Sequence, residues 1–430
     1  MSSLCRCLVL LAAAALALPA SAATHAIVHA TAHTIAKGVV EDATVVIRDG
    51  RIVALGKGLA APAGATVIDA QGRPVTPGFF DALGALGVLE IELEESTVDR
   101  SNGDPRYSAA YAVADAFNPA SPKLAITRIE GVTRALVAPL AMGGDDGPVP
   151  VIAGRAATIH LGGGAHALLD RDAALVVHLG GSGKALAGGA RGAALLQLRE
   201  AFGDARDFAA HRGAFEDGRR RAYARGRLDL EALQPALRGA QPVIAFVDRA
   251  SDIRGALELA REFGLKLVVA GGAEAWMVAP ELARAQVPVI VDTVQNLPAS
   301  FEALGATLTN AARLQQAGVA VAFATEDVAN PRNLKQLAGN AVANGMDYQA
   351  ALAGLTRVPA RIYGMDGYGT LEVGQDADLV LWSGDPLEVT SYADAVFIKG
   401  EAVPMESRQT QLRDRYRDLG KAPWPPAYRR

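Results

Sequence analysis

Cysteine is nearly absent from this sequence. The chain has 430 residues and only two cysteines, Cys5 and Cys7, which both lie at the N-terminus. Beyond residue 7 the chain therefore has no disulfide and no thiol nucleophile, which excludes a disulfide-stapled fold and cysteine-based catalysis.

Aromatic residues and long basic runs are also scarce. Aromatics make up 5% of the chain, hydrophobic residues make up 50%, and glycine occurs 45 times. This composition can fill a large core and favours close packing of helices on a parallel sheet over an all-β sandwich. The net charge of −4 and the lack of a basic cluster predict that nucleic acid is not a partner.

Long hydrophobic runs are confined to the N-terminus, which reads "MSSLCRCLVLLAAAALALPASA". Arg6 precedes an apolar core, and Ala20-Ser21-Ala22 has the small residues of a signal-peptide cleavage site. We therefore expect residues 1–22 to be a signal peptide and the mature protein to be periplasmic or secreted. The apolar run is too short to span a bilayer comfortably, so no membrane anchor is expected after cleavage.

The two ends of the remaining chain have the pattern of short strands. In "ATVVIRDGRIVALG" the pair Asp49-Gly50 separates two strand-like runs, which is a strong hairpin signal. A second β-rich stretch, "GTLEVGQDADLVLWSGDP", follows near the C-terminus. We predict one composite β-sandwich domain built from residues 23–76 and 357–430.

The middle of the chain alternates strand-like and helix-like segments. "PVIAFVD" precedes "DIRGALELAREFG", and "VAVAFATED" precedes "NLKQLAGNAVANG". Repeated βα units predict a parallel sheet, and a span of about 280 residues favours a closed barrel over a doubly wound sheet. The predicted class is α/β, with a TIM-like (β/α)8 barrel over residues 77–356 and its site at the C-terminal ends of the strands.

Several motifs together resemble the amidohydrolase superfamily, and in particular its imidazolonepropionase-like branch. They are "DGRIVALG" and "VIDAQGRPVTPG" in the first β-rich stretch, "VTPGFFDA" at barrel strand 1, and "LEVGQDADLVLWSGDPL" after the barrel. The resemblance covers nearly the whole mature chain. It implies hydrolysis of C–N bonds with zinc or another divalent metal at the barrel mouth.

The metal-binding residues that this resemblance implies are largely missing. The family's His-x-His pair corresponds to Leu83 and Ala85, and its two later histidines correspond to Phe246 and Gly271. Carbon side chains have no lone pair to offer a metal ion. Without the ion, the usual way of activating water is lost. The prediction is therefore a dismantled centre with no metal cofactor.

Three other residues are candidates for the barrel mouth. Glu326 matches the family's last ligand position, Asp327 stands beside it, and His178 ends the strand-like segment "AALVVH". The acidic run "LEIELEESTVDRS" after strand 1 is interpreted as a solvated loop, with a cation or basic ligand as the alternative. Lys184, in the Gly-rich "HLGGSGKALAGG", is interpreted as a solvated loop lysine rather than part of a phosphate loop.

Three functions remain open from the sequence. The first is a non-catalytic or weakly active homologue that binds a small ligand or a partner protein at the barrel mouth. The second is an active hydrolase of C–N bonds, such as those of cyclic amides or dipeptides, with an atypical site. The third is a regulatory subunit of a catalytic relative, and homo-oligomerisation is left open in each case.

Overall fold

The computed structural model describes residues 23–142, 149–325 and 330–417. The predicted signal peptide, Glu326, Asp327 and residues 418–430 lie outside this part. Within the described residues, no helix has the length and apolar character needed to cross a bilayer.

The first sheet combines strands from both ends of the chain. Its hydrogen-bonded order is β16-β15-β14-β5-β1-β2-β3, and β4 pairs with β1. Its strands are β1 (His25–His33), β2 (Val39–Arg48), β3 (Arg51–Lys57), β4 (Thr66–Asp69), β5 (Pro74–Pro77), β14 (Leu379–Trp382), β15 (Ala393–Ile398) and β16 (Glu401–Ala402). The predicted second sheet domain is thus present, while its proposed residue boundaries stay a prediction.

The hairpin predicted at Asp49-Gly50 is confirmed. Arg48 pairs with Arg51 at the end of the antiparallel β2–β3 ladder, so the loop has two residues. Both loop residues have positive φ, 54° at Asp49 and 76° at Gly50. Aspartate and glycine tolerate this conformation, which matches the twist of the flanking strands.

The second sheet forms a nearly closed eight-stranded barrel, which confirms the predicted TIM-like class. Its order is β13-β12-β11-β10-β9-β8-β7-β6. The strands are β6 (Phe79–Gly84), β7 (Val132–Val137), β8 (Ile152–His160), β9 (Leu168–His178), β10 (Pro242–Val247), β11 (Lys266–Gly271), β12 (Val289–Val291) and β13 (Val321–Phe323).

One strand departs from a regular (β/α)8 barrel. β8 runs antiparallel to both β7 and β9, whereas the remaining neighbours in the barrel sheet pair in parallel. Antiparallel neighbours need no crossover helix. The segments that join β7, β8 and β9 accordingly contain no helix in the described residues.

Helices cover the outside of the barrel. They are α1 (Pro122–Arg128), α2 (Gly180–Leu186), α3 (Arg191–Ala210), α4 (Arg212–Glu216), α5 (Arg227–Ala232), α6 (Gln234–Leu237), α7 (Ala250–Phe263), α8 (Ala279–Arg284), α9 (Asn310–Gln316), α10 (Leu334–Ala343), α11 (Tyr348–Gly354), α12 (Arg357–Ile362) and α13 (Arg408–Tyr416). α7 and α10 follow the strands β10 and β13, as the alternating sequence pattern predicted.

The segment "SFEALGATLTNAARLQQAG" follows the strand-like "VPVIVD" and also has a helix-like pattern, but its helix is shorter than this pattern predicts. Only its second half is helical, as α9 from Asn310. Residues 297–309 instead form an irregular loop held by Trp276, whose Nε1–H donates to the Gly305 carbonyl at 2.8 Å, and by Glu274, which accepts from the Gly305 N–H at 3.1 Å. These tertiary contacts override the local helical preference.

Candidate functional site

An open cavity of about 430 Å³ lies at the C-terminal ends of the barrel strands. Its apolar wall includes Leu83, Leu140, Phe246 and Ala270. Its polar lining comes from several loops and consists of Arg100, His178, Ser182, Asp248, Ser300, Glu302 and Thr325. Catalytic sites of TIM barrels lie at this end of the strands, which makes this cavity the candidate site.

Two further cavities are comparable in volume but lie elsewhere. One, of about 550 Å³, is between α7 and α8, and the other, of about 470 Å³, is at the starts of β10 to β13. The N-terminal end of a barrel contributes to stability rather than catalysis. We therefore place the candidate site at the mouth, although its cavity is not the largest.

The structure brings together three of the four positions where metal ligands were missing in the sequence. Leu83 at the end of β6, Phe246 at the end of β10 and Gly271 at the end of β11 line the same cavity. Ala85 does not line this cavity. It follows the last residue of β6 and is buried in the hydrophobic core, with 6% of its surface exposed. The mouth therefore has an apolar wall where the resemblance implies imidazole side chains.

Gly271 has a backbone conformation that does not suit a histidine. Its φ is +85°, and a Cβ atom built on it would lie 2.7 Å from Oδ1 of Asp248. Residues with a side chain rarely adopt this conformation. A histidine at position 271 would thus be strained and would displace Asp248.

His178 lies at the mouth, but both of its ring nitrogens are engaged. Nε2 accepts the backbone N–H of Ala141 at 3.3 Å, and Nδ1 lies 3.3 Å from the Ser182 hydroxyl oxygen. Because Nε2 accepts, we assign the ring proton to Nδ1, which donates to Ser182. Ser182 in turn donates to the Leu179 carbonyl at 3.1 Å.

The surroundings of His178 keep it neutral. Its ring stacks on that of Phe246 with centroids 4.8 Å apart and an interplanar angle of 5°. Burial, and to a lesser extent the positive charge of Arg100, lower the pKa of His178 to about 4. In this arrangement the imidazole holds the mouth loops together and is not free to act as a base or as a metal ligand.

The sequence reasoning overlooked two acids of the cavity, Asp248 and Glu302. Asp248 follows β10 directly, and its Oδ1 accepts from the Ala273 N–H at 3.2 Å. Burial raises the pKa of Asp248, with repulsion from Glu302 and Glu274 adding to the rise. The signal for Asp248 in the sequence is its place as the acid that ends the strand-like "PVIAFVD", two residues after Phe246.

Glu302 comes from the irregular loop after β12, in a segment whose sequence pattern predicts a helix instead. Arg191 donates to its Oε1, and its Oε2 is buried without a partner in the described part of the chain. Lys184 lies exposed on α2, in agreement with its interpretation as a solvated lysine. Glu326 and Asp327 lie outside the described residues.

Asp81 lies fully buried in β6, two residues before Leu83. Burial raises the pKa of Asp81 to about 8, although the N–H groups of Leu83 and Thr325 favour the carboxylate. The Leu83 N–H is 3.5 Å from Oδ1, too far for a strong hydrogen bond, and Oδ2 has no partner among the described residues. At neutral pH this residue is therefore mainly a neutral carboxylic acid.

Comparison with known proteins supports the resemblance. Residues 245–404 match the amidohydrolase family. The solved structure of an amidohydrolase from Thermotoga maritima aligns with a TM-score of 0.78 and 26% identity, covering 88% of this chain and 99% of that one. A molinate hydrolase structure aligns with a TM-score of 0.55 at 17% identity, which shows the shared fold alone.

The chain thus contains an amidohydrolase family domain, and its fold is similar to that of a solved amidohydrolase. Among its curated relatives, amidohydrolase TasK of Hapsidospora irregularis is 24% identical over 373 residues, which are 79% of this chain but 37% of TasK. The imidazolonepropionase of Mycolicibacterium smegmatis is 46% identical over 68 residues, or 17% of that enzyme. The chain thus spans little more than a third of the first relative and a smaller part of the second.

The described residues of the mouth do not fit a divalent metal ion. Within the described residues, no three His, Cys, Asp or Glu side chains are grouped so that they could hold one. Leu83 and Phe246 have no donor atom, and the nitrogens of His178 are occupied. We therefore derive no catalytic step through a metal.

Proposed function

We propose that this amidohydrolase-family protein binds a small organic ligand at the barrel mouth and carries out no metal-dependent hydrolysis. The observation that supports the proposal is the apolar wall formed by Leu83 and Phe246, at positions where the resemblance implies metal ligands. Binding needs only shape and a few polar contacts, whereas hydrolysis at neutral pH needs an activated water.

The cavity has the character of a small-molecule site. Its volume of about 430 Å³ falls in the range of ligand pockets, which are mostly apolar with a few placed polar groups. Here the polar groups are a cation, Arg100, the carboxyl of Asp248, and hydroxyls such as those of Ser300 and Thr325. A ligand with an apolar body and a polar group at its edge fits this lining.

The test measures binding and turnover on one set of compounds. Cyclic amides, N-acyl amino acids and dipeptides would be screened by calorimetry and for hydrolysis, with and without added zinc or manganese. We expect at least one compound to bind and none to be hydrolysed. Leu83→Trp should fill the cavity and abolish binding, whereas Leu196→Trp, on an exposed surface at 67% exposure, should leave binding unchanged.

A second candidate function is hydrolysis with an atypical site. Asp248 favours it, since a half-buried carboxyl with a raised pKa at a cavity can serve as a general base. Turnover of any compound in the screen, lost in Asp248→Asn and in Leu83→Trp, would establish this function. It would also overturn the proposal of a non-catalytic site.

Export and partnership are further parts of the proposal. The N-terminal charge and apolar pattern support a mature protein that begins at Ala23 in the periplasm or outside the cell. Mass spectrometry of the exported form would detect residues before Ala23 if this is wrong. Recovery of a catalytic relative by co-purification would instead favour the regulatory-subunit alternative.

A further inference from the structure

The base of the barrel, at the opposite end from the candidate site, contains a cavity of about 470 Å³. Its lining comes from the segments where β10 to β13 begin and from α12. Among the described residues, none lines both this cavity and the one at the mouth. Its volume falls within the range of small-molecule pockets, roughly 300–1,000 Å³. The base cavity is therefore a separate space that is large enough for a small organic ligand.

The inner wall of the base cavity is apolar. Val268 on β11 is 2% exposed and belongs to the hydrophobic cluster inside the barrel, together with Ile290 and Ala322. Val358 and Ile362 on α12 pack against the same cluster. Val268, Val358 and Ile362 also line the cavity. The cavity therefore extends from the surface towards the barrel core, and its inner part suits a hydrocarbon group.

The polar side chains of the base cavity carry positive charge or none. They are Lys266 at the start of β11, Arg361 on α12 and Gln286 before β12, and all three are exposed. Within the described chain, no acid lines the cavity, and none of these three side chains forms a hydrogen bond or an ion pair. Lysine and arginine side chains can only donate hydrogen bonds. The outer part of the cavity thus has two uncompensated cations and calls for an anionic acceptor.

A third base adds to the positive charge on α12. Arg357 lies one turn before Arg361, and its Nε is buried without a partner among the described residues. Burial lowers the pKa of Arg357, and the positive charge of Arg361 adds to this effect, while Glu372 opposes it. Like charges four residues apart on a helix are unfavourable. An anion bound at Arg361 would relieve this repulsion.

The two parts of the cavity together define the chemistry of a ligand. A small inorganic anion would leave the apolar inner wall uncovered, and a neutral hydrocarbon would leave the two cations without a counter-charge. A molecule with an apolar chain that ends in a carboxylate satisfies both parts. The carboxylate would accept charge-assisted hydrogen bonds, and each methylene group removed from water would add to the affinity.

We propose that the cavity at the barrel base binds an amphipathic carboxylate of the fatty-acid class. The carboxylate lies at Lys266 and Arg361, and the hydrocarbon chain lies against Val268, Val358 and Ile362. This site is distinct from the candidate site at the mouth. It does not depend on the ligand proposed there.

Calorimetry with three probes of equal chain length tests the charge preference. The probes are decanoate, 1-decanol and decyltrimethylammonium. We expect one decanoate to bind per chain, at least about tenfold more tightly than either of the other two. Lys266→Gln and Arg361→Gln should each weaken decanoate binding about tenfold, because each removes a charge-assisted hydrogen bond. Lys57→Gln, at an exposed lysine of the outer sheet, is the matched control and should leave the affinity unchanged.

Three further variants locate the site. Ala320→Trp should fill the base cavity and abolish decanoate binding, whereas Ala63→Trp, at an exposed alanine between β3 and β4, should have no effect. Leu83→Trp fills the cavity at the mouth and should leave decanoate binding unchanged. The two charge variants alter exposed side chains, so they test the site even if Ala320→Trp does not fold.

Three results would overturn the proposal. The first is that decanoate does not bind. The second is that the three probes bind equally well, because the cations would then play no part. The third is that Leu83→Trp abolishes decanoate binding while Lys266→Gln and Arg361→Gln do not weaken it, because the anion would then bind at the mouth.

Discussion

At the scale of single residues, His178 shows that position alone does not make a functional group. The sequence placed it correctly at the end of a barrel strand, but it could not show that Ala141 and Ser182 occupy both ring nitrogens. The contact with Ala141 joins residues 37 positions apart and depends on tertiary structure. The contact with Ser182 joins residues four positions apart and depends on how the chain turns after β9. The same holds for Gly271, whose φ of +85° is invisible in the sequence.

The buried carboxyl of Asp81 should make stability depend on pH. Its pKa is raised from 3.8 to about 8, so the native state binds the proton more tightly than the unfolded state does. Stability should therefore fall as the pH rises between these values, by about 1.4 kcal/mol per pH unit. In Asp81→Asn this loss should vanish.

Urea unfolding of both proteins at pH 5, 6.5 and 8 measures this effect. The variant should gain stability relative to the wild type as the pH rises. Asp49→Asn, an exposed acid in the β2–β3 turn, serves as the control and should show no such trend. A constant difference between Asp81→Asn and the wild type across this range would contradict the assignment of a neutral carboxyl.

Restoring the family's first two ligands should not restore a metal site. Leu83→His with Ala85→His supplies two imidazoles, but Phe246 and Gly271 still withhold the other two, and position 85 is buried in the core. Calorimetry should detect no tight, stoichiometric zinc binding in the double variant. One tightly held zinc per chain would show that the remaining ligand shell is intact.

At the scale of elements, the sequence predicted strands and the hairpin well and the mouth loops poorly. Strands such as β10 and β11 are continuous apolar runs, and the hairpin has a defined turn pair, so local sequence determines them. The loop of residues 297–309 has a helical apolar pattern but is held by Trp276 and Glu274. The antiparallel direction of β8 likewise follows from pairing with distant strands.

One buried acid holds the loop after β6 in place. Asp229 at the start of α5 accepts from the Ser108 N–H at 3.0 Å, the Ser108 hydroxyl at 3.0 Å and the Ala110 N–H at 2.7 Å. Asp229→Ala leaves these donors without their partner and should lower the free energy of unfolding by about 3 kcal/mol.

Chemical denaturation checks this value, with Asp217→Ala as the matched control. Asp217 is exposed, so its removal should change the free energy of unfolding by less than about 0.5 kcal/mol. Equal effects of the two substitutions would show that Asp229 does not anchor the loop.

At the scale of the whole molecule, a buried ion pair joins the barrel to the outer sheet. Arg134 on β7 donates from Nε to Asp378 at 2.9 Å and from Nη2 to Asp376 at 2.6 Å, and its guanidinium lies 4.2 Å from the ring centre of Tyr368. The side chains of Arg134 and Asp378 are 5% and 0% exposed. In the sequence, Asp378 belongs to the motif "LEVGQDADLVLWSGDPL", but no sequence pattern indicates that Arg134 is its partner.

Removing this arginine should destabilise the entire fold. Arg134→Met leaves Asp378 buried without its counter-charge, which should cost about 3–5 kcal/mol in the free energy of unfolding. Adding Asp378→Asn should recover part of the loss, because the uncompensated charge is gone. Arg51→Met, at an exposed pair 3.4 Å from Asp376, should cost less than about 1 kcal/mol. A loss of similar size for Arg134 and Arg51 would contradict this account.

For the whole molecule, we propose that the barrel keeps an amidohydrolase-like fold while its mouth no longer holds a metal ion. Elemental analysis of the protein purified from its natural compartment, after dialysis against a mild chelator, tests this claim most directly. The account predicts well under one metal ion per chain, because Leu83, Phe246 and Gly271 offer no ligand and His178 is engaged elsewhere. One zinc ion per chain, retained through the dialysis, would contradict it.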